Sequence, residues 1–443
     1  MTSGRSNAAA GARSILAKDM DAFLVRGGRP LSGSVTISGA KNSALKLVAA
    51  ALLAPGRSVI HNVPAIADMH VMAAVLEHLG VQVERDGETL ALDVPEDVGD
   101  STPPHLVSKL RASIVVLGPL LARRGHVRVA TPGGCNLGNR AIDMHLSGLA
   151  RMGAEISYGA DFVEARTERL RGAHIELPYA SVGATENLLM AAVTAEGTTT
   201  VANAAREPEI QDLITFLQSM GAQITGGGTD EIVVEGVEQL HPAEHTVVGD
   251  RIEAGTYMVA GALTGGPLEV TGFDPTHLSL VIDKLRSAGV TVEQRPDGVL
   301  VSRNQPLQPV DVVTLPYPGF PTDLQPQFLV LLSQASGTSM LTENVFDGRF
   351  SIVDELRRLG ADIEVEGHHA LIRGSRSLSG AEVRATDLRA GAALVLAGLI
   401  ADGATVVAEP HHVDRGYTDF DGRLRQLGAD VRRTDVGAVP VAS

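Results

Sequence analysis

The chain has 443 residues, 44% hydrophobic, 20% charged and only 3% aromatic; this excludes a disordered chain and predicts a globular protein of two domains, since one core rarely supports that length. A formal charge of −15 excludes an extended nucleic-acid face, because phosphate backbones are held by clustered lysine and arginine. The single cysteine excludes an intramolecular disulfide framework and fits a reducing cytoplasm, and no apolar run approaches the roughly 18 to 20 residues of a membrane span.

Residues 1–19, rich in Ala, Gly and Ser with scattered Arg, lack the apolar block of a secretory signal and are expected to form a mobile tail. Beyond them a segment of about seventy residues comes round six times: an apolar helix, a glycine, a short strand, then a second helix closing on an L-G-A-like turn. The glycines before the strands are Gly56, Gly125, Gly197, Gly266, Gly337 and Gly403; the closing glycines are Gly80, Gly153, Gly221, Gly289, Gly360 and Gly428. A repeated helix and strand unit cannot bury its apolar face alone, so six copies predict a concentric α/β body with three repeats per domain.

The helix starts read G-A-K-N-S-A-L-K-L from Gly39, K-L-R-A-S-I-V-V-L from Lys109, S-V-G-A-T-E-N-L-L from Ser181, G-D-R-I-E-A-G-T-Y from Gly249, F-P-T-D-L-Q-P-Q-F from Phe320 and A-T-D-L-R-A-G-A-A from Ala385. Small, hydroxylated or acidic residues ahead of an apolar stretch mark helix N-termini, whose unpaired N–H groups and positive dipole end favour anions. Lys41, Arg111, Arg251, Asp323, Asp387 and Arg389 fall at these starts. Capping and pairing would explain any one of them; recurrence at one point of the repeat favours a shared cavity. Gly-, Pro- and charge-rich segments follow the strands and carry Arg140, Arg206, Arg349 and Arg415. In one of them Cys135 stands behind Pro132, Gly133 and Gly134 and ahead of Gly138 and Arg140. That setting favours a reactive thiol with a pKa lowered by cationic neighbours over a small buried hydrophobe. No local protease signature surrounds it.

The runs G-A-K-N-S-A-L-K (Gly39 to Lys46), L-R-A-S (Leu110 to Ser113), P-G-G-C-N-L-G-N-R (Pro132 to Arg140), S-V-G-A-T (Ser181 to Thr185), A-A-R-E-P-E (Ala204 to Glu209), F-P-T-D-L-Q (Phe320 to Gln325), T-D-L-R-A (Thr386 to Ala390) and D-R-G-Y (Asp414 to Tyr417) resemble the UDP-N-acetylglucosamine 1-carboxyvinyltransferases of the enolpyruvyl transferase family. The resemblance runs in order from about Met20 to about Val431. It implies the two-domain enolpyruvyl transferase fold of the α/β class, with six βαβ-type repeats in two threefold inside-out α/β barrels. A first lobe is expected from 20–40 plus 249–435, and a second, with repeats one to three and the Cys135 loop, from 41–248.

The activity implied is transfer of the enolpyruvyl group of phosphoenolpyruvate to the 3-hydroxyl of UDP-N-acetylglucosamine with release of phosphate, the first committed step of peptidoglycan precursor synthesis. It needs no cofactor and no metal, and its partners are small molecules rather than nucleic acid or membrane. By the resemblance, Cys135 is the acid or a transient covalent partner, Asp323 handles the acceptor hydroxyl proton, and Lys41, Arg111, Arg140 and Arg415 clamp phosphoenolpyruvate. Asn42 and Asp323 lie near the sugar, Ser181, Val182 and Gly183 near the diphosphate, and Arg140, Ala141, Ile142 and Asp143 near the uracil. Val345 and Phe346 wall the sugar pocket. Arg349, Asp387 and Arg389 support the closed state, with purely structural pairing as the rival reading for Asp387 and Arg389. The epoxide fosfomycin is expected to alkylate Cys135.

Two positions depart from the family: Arg140-Ala141 stands where Arg-Pro is usual, and Asn139 replaces a smaller residue. Without proline the backbone there is not fixed in φ. That leaves open a paralogue acting on another uridine nucleotide such as UMP in secondary metabolism, or a non-catalytic sugar-nucleotide binder. An RNA-cyclase-like enzyme finds no support in so acidic a chain.

Overall fold

A computed structural model describes residues 21–107, 111–130 and 142–435, with the backbone alone at 111–113 and 435. The tail expected over 1–19 lies outside them.

Each repeat contributes an inner and an outer helix. In chain order the pairs are α1 (Lys41–Ala50) and α2 (Ala67–His78), α3 (Leu117–Arg124) and α4 (Asp143–Arg151), and α5 (Val182–Ala192) and α6 (Pro208–Ser219). The second half continues with α7 (Arg251–Thr264) and α8 (Ser279–Ser287), α9 (Gln325–Ser333) and α10 (Val353–Arg358), and α11 (Leu388–Ile400) and α12 (Phe420–Gln426). The inner helices are rich in apolar residues and largely buried: α11 is covered from Leu388 to Leu399 without a break. The outer helices are two-faced. Along α6, Ile210, Leu213, Ile214 and Leu217 are buried while Gln211, Thr215 and Gln218 face outward.

The L-G-A-like turns share one geometry. All six closing glycines adopt φ between 85° and 104°, the left-handed region that a side chain disfavours. Each donates its N–H to the carbonyl three residues back, from Gly80 to Glu77 at 3.0 Å through Gly428 to Arg425 at 2.9 Å. The next residue donates five back, as Val81 does to Leu76 at 3.0 Å. This double bond closes the orphan carbonyls of a helix end. In the other glycine series the fourth repeat differs from the rest: Gly265, just ahead of Gly266, takes the positive φ and caps α7 through Gly261 O.

Repetition of a single short strand understates the sheets. After its outer helix each of the first five repeats adds an antiparallel pair, so that Gly56–His61 is joined by Thr89–Val94 and then Gln82–Asp86; in the sixth, Asp430–Asp435 pairs with the N-terminal strand Asp21–Arg26, which lies beside Ala404–Ala408. A short parallel strand covers the other edge, giving five four-stranded sheets and one of three strands. The sheets stay separate, so each half holds three open sheets rather than one closed hydrogen-bonded barrel among the described residues.

Two edge strands are exchanged between halves. Gly33–Thr36, just ahead of α1, pairs with Leu268–Thr271 of repeat four, whereas Glu244–Thr246, just ahead of α7, pairs with the Gly56–His61 strand of repeat one. The chain consequently divides into two units at Ile37/Ser38 and Arg251/Ile252; one is Ser38–Arg251 with Pro316–Gly319, the other takes the remainder. In the first unit α1, α3 and α5 lie within one continuous apolar cluster, with α3 packed on α5 and α1 on α6. In the second, α9 packs on α11.

Candidate active site

The loops at the inner-helix starts position charged side chains in both units. In the Ser38–Arg251 unit, Gly39 forms an isolated antiparallel bridge with Gly249. A side chain at Gly39 would begin 1.7 Å from the Asn62 carbonyl oxygen, so only glycine fits. The bridge brings Asp250 to the start of α1, where its Oδ2 accepts from the Lys41 N–H at 3.1 Å. Ala40, the local cap position, offers no side-chain acceptor, so Asp250 does the capping from more than two hundred residues away.

Lys41 is buried and directs its ammonium to Asp68 Oδ2 at 2.7 Å. Asn42 is the one α1 residue that reaches partly into solvent. One turn on, Lys46 Nζ donates to the Asn42 carbonyl at 2.7 Å and sits 3.1 Å from Glu186 Oε1 on α5. Burial pushes the Glu186 carboxyl up to about 7, against the pull of Lys46 and with help from nearby Glu209 and Glu207. Arg251 pairs with Glu209, Nε to Oε1 at 3.0 Å, and lies 5.5 Å from the Tyr317 ring.

At the start of α5 the Ser181 hydroxyl accepts from Ala184 N–H at 3.3 Å, with Val182 and Gly183 following it into the first turn. Beside them is His145, a residue the sequence reading passed over among 14 histidines. Asn187 Nδ2 donates to His145 Nδ1 at 2.8 Å, and a Cβ built on Gly183 would lie 3.4 Å from His145 Nε2. Asn187 is itself fixed, accepting from Gly118 N–H at 2.8 Å and donating to the Ile114 carbonyl at 3.2 Å. With Nδ1 accepting, the ring proton belongs on Nε2, the nitrogen at the helix N-terminus. The signal in sequence was its place two residues after Asp143, on the first turn of α4; Ile142 caps that helix and Asp143 is exposed. Asp68 and Asp250 were likewise not named, although Asp250 lies in the run that starts at Gly249.

In the other unit Asp323 lies just ahead of α9 between two guanidinium groups. Arg349 Nη2 donates to Asp323 Oδ1 at 2.7 Å, and Arg389 Nη2 to Oδ2 at 3.2 Å. The arginines are 1% and 2% exposed, while the Asp323 side chain keeps 25% of its surface open. The carboxylate is thus fixed in orientation yet reachable. Asp387 caps α11, its Oδ1 accepting from Arg389 N–H at 2.8 Å and Ala390 N–H at 3.1 Å. The Arg389 guanidinium also lies 5.3 Å from the Tyr417 ring, and Tyr417 OH is 2.9 Å from Thr256 Oγ1 on α7. Val345 and Phe346 follow the strand Thr338–Thr342, with Arg349 5.2 Å from the Phe346 ring. Arg415 is half-buried at the end of a single helical turn, His411–Asp414, that Arg433 anchors through Asp414 Oδ2 at 3.1 Å.

Arg206 is exposed and far less embedded than Arg349. Cys135, Arg140 and Ala141, with Asn139, lie outside the described residues, as does Lys109, and Arg111 is placed by its backbone alone, at the start of a 3₁₀ turn before α3. Among the described residues one group could offer three metal ligands: Glu409, His411 and His412 have ligand atoms within 4.8 Å of one another. Arg384 already engages the Glu409 carboxylate through Nε at 2.5 Å, so a cation there would meet a guanidinium.

Comparison with known proteins sharpens this arrangement. A sequence-family model described as EPSP synthase (3-phosphoshikimate 1-carboxyvinyltransferase) matches residues 25–424. A protein of Corynebacterium jeikeium named UDP-N-acetylglucosamine 1-carboxyvinyltransferase is 52% identical, over 93% of this chain and 99% of its own length. One of Mycobacterium bovis with the same name is 52% identical over 93% and 98%. Among solved structures, the enolpyruvyl transferase NikO of Streptomyces tendae superposes with a TM-score of 0.87 at 31% identity, over 95% of this chain and all of its own. EPSP synthase of Acinetobacter baumannii superposes at 0.75 and, at 20% identity, shows a shared fold.

Proposed function

The chain belongs to the EPSP synthase (3-phosphoshikimate 1-carboxyvinyltransferase) family of enolpyruvyl transferases, and from that membership we propose that it transfers the enolpyruvyl group of phosphoenolpyruvate to the 3-hydroxyl of UDP-N-acetylglucosamine, releasing phosphate, as the committing step of peptidoglycan precursor synthesis in the cytoplasm. The observation that carries the acceptor is the 52% identity, over nearly the full length of both chains, to relatives that bear that activity's name.

The reaction is an addition followed by an elimination. An acid protonates the methylene carbon of phosphoenolpyruvate while the acceptor hydroxyl loses its proton and its oxygen bonds to the adjacent carbon. The methyl group then returns a proton as the carbon–oxygen bond to phosphate breaks. Cys135 supplies the first proton to the methylene carbon, or forms a transient bond through its sulfur to the adjacent carbon that bears the phosphate, from which the thiolate leaves as the acceptor oxygen takes its place. Asp323, held by Arg349 and Arg389 with one edge open, takes the hydroxyl proton. Lys41, Arg111, Arg140 and Arg415 hold the phosphate and carboxylate as charge shifts between them. Asn42 meets the sugar, Ser181, Val182 and Gly183 the diphosphate, Arg140 to Asp143 the uracil, and Val345 and Phe346 the sugar face.

A phosphate-release assay with phosphoenolpyruvate and a panel of acceptors tests the proposal. Turnover with UDP-N-acetylglucosamine, and none with UMP or shikimate-type acceptors, is expected. Turnover with UMP alone would replace the acceptor and keep the chemistry, and sugar-nucleotide binding without phosphate release would make the protein a binder.

A further inference from the structure

Four hydrogen bonds end on one carboxylate to which the proposed reaction assigns no part. Glu343, 1% exposed, follows the strand Thr338–Thr342. Its Oε1 accepts from Thr314 Oγ1 at 2.9 Å and from the backbone N–H groups of Val345 at 2.8 Å and Phe346 at 3.0 Å. Its Oε2 accepts from Thr322 Oγ1 at 2.9 Å. Having given its proton to Glu343, the Thr322 hydroxyl accepts from Arg349 Nε at 3.3 Å, and Arg349 Nη2 holds Asp323 Oδ1 at 2.7 Å. One oxygen therefore fixes the backbone under Val345 and Phe346, and the other is one hydroxyl removed from the guanidinium that orients Asp323.

We propose that Glu343 is a positioning residue for the transfer, linking the wall of the sugar pocket to the group that deprotonates the acceptor. The inference rests on the roles proposed for Asp323, Val345 and Phe346. Closing a turn would need only one acceptor, which an asparagine, serine or glutamine can supply. A carboxylate is acceptor-only on both oxygens, so it alone forces Thr322 to donate toward it and leaves that hydroxyl's lone pairs to Arg349. Glutamine at this position would keep its carbonyl on the two backbone N–H groups, and its NH₂ would then donate to Thr322, competing with Arg349 for the same oxygen. The two legs of the carboxylate can accordingly be cut separately.

Steady-state kinetics on the full chain separate them. Glu343→Ala, which cuts both, should raise KM for UDP-N-acetylglucosamine about tenfold and lower kcat about tenfold, the scale expected for losing hydrogen bonds to a charged group. Glu343→Gln and Thr322→Val cut only the leg toward Arg349; each should lower kcat about tenfold while KM for the sugar nucleotide stays within about twofold. Unfolding of Glu343→Ala would leave the two conservative variants to decide. Wild-type kcat in both, with unchanged melting, would overturn the proposal, as would equal rises in KM for all three. A wild-type chain inactive with UDP-N-acetylglucosamine but active with another uridine nucleotide counts against the acceptor, and the same split is then read on that nucleotide; a chain inactive with every acceptor overturns both.

Discussion

Lys46 on α1 and Glu186 on α5 meet at 3.1 Å with side chains 9% and 0% exposed, an ion pair inside the helical core of its unit. The same Nζ holds the Asn42 carbonyl, so the pair also stiffens the first turn of α1 that presents Asn42. Above about pH 7, where Glu186 is ionised, removing Lys46 leaves its buried carboxylate without a counter-charge. Lys46→Met should therefore cost about 3 to 5 kcal/mol in urea unfolding, whereas Lys46→Met combined with Glu186→Leu should return to within about 2 kcal/mol of wild type. A double variant as unstable as the single one would show that the pair's attraction, not its desolvation, dominates.

The raised carboxyl of Glu186 gives stability a pH dependence of definite sign. Its folded value of about 7 exceeds the ordinary 4.5, so between these values the folded chain holds a proton that the unfolded chain has lost. Stability from this group is fully present below about pH 4.5 and falls as pH rises toward 7 and beyond, by up to about 3 kcal/mol. Glu186→Gln removes the dependence. The difference in melting temperature between that variant and wild type should widen, in the variant's favour, from pH 5 to pH 8; a constant difference would mean the carboxyl titrates normally.

Asp323→Asn keeps the shape and one acceptor for Arg349 but cannot take a proton. The expected loss is about 10²- to 10⁴-fold in kcat, the range of a lost general base. Two buried guanidinium groups would also lose their shared counter-charge, which should cost about 1 to 3 kcal/mol because the carboxylate is partly solvated. Retained kcat in a folded variant would move the proton transfer to another group.

Much of this architecture was written in the chain. The six closing glycines could be read because a left-handed helix end tolerates little else, and the inner helices because a long apolar stretch favours burial. The hairpins escaped notice, although V-Q-V-E-R-D-G-E-T-L-A-L-D-V from Val81 alternates on both sides of Asp86-Gly87, a pattern that favours paired strands. The charged residues at helix starts could be picked out because caps and anion sites share their chemistry. Asp250 and Glu343 were not, since each acts through bonds to segments that folding alone brings near: Asp250 on Lys41, and Glu343 on Thr314 and Thr322. His145 looked like any other histidine until Asn187 fixed its tautomer.

Cys135 offers the most direct chemical test of the proposed site. Fosfomycin carries a phosphonate and an epoxide, so a cationic clamp that holds phosphoenolpyruvate would hold it beside the same thiol. Attack by the thiolate forms a carbon–sulfur bond, breaks one carbon–oxygen bond of the epoxide and leaves an alkoxide that takes up a proton, adding the whole drug to the protein. The chain has one cysteine, so intact-mass analysis under saturating drug and UDP-N-acetylglucosamine should find a single adduct, and Cys135→Ser should show none. Adduct formation should slow when phosphoenolpyruvate competes for the clamp. An unmodified wild-type mass would mean that the thiol does not face the phosphate site, and Cys135 would then have to be withdrawn as the acid.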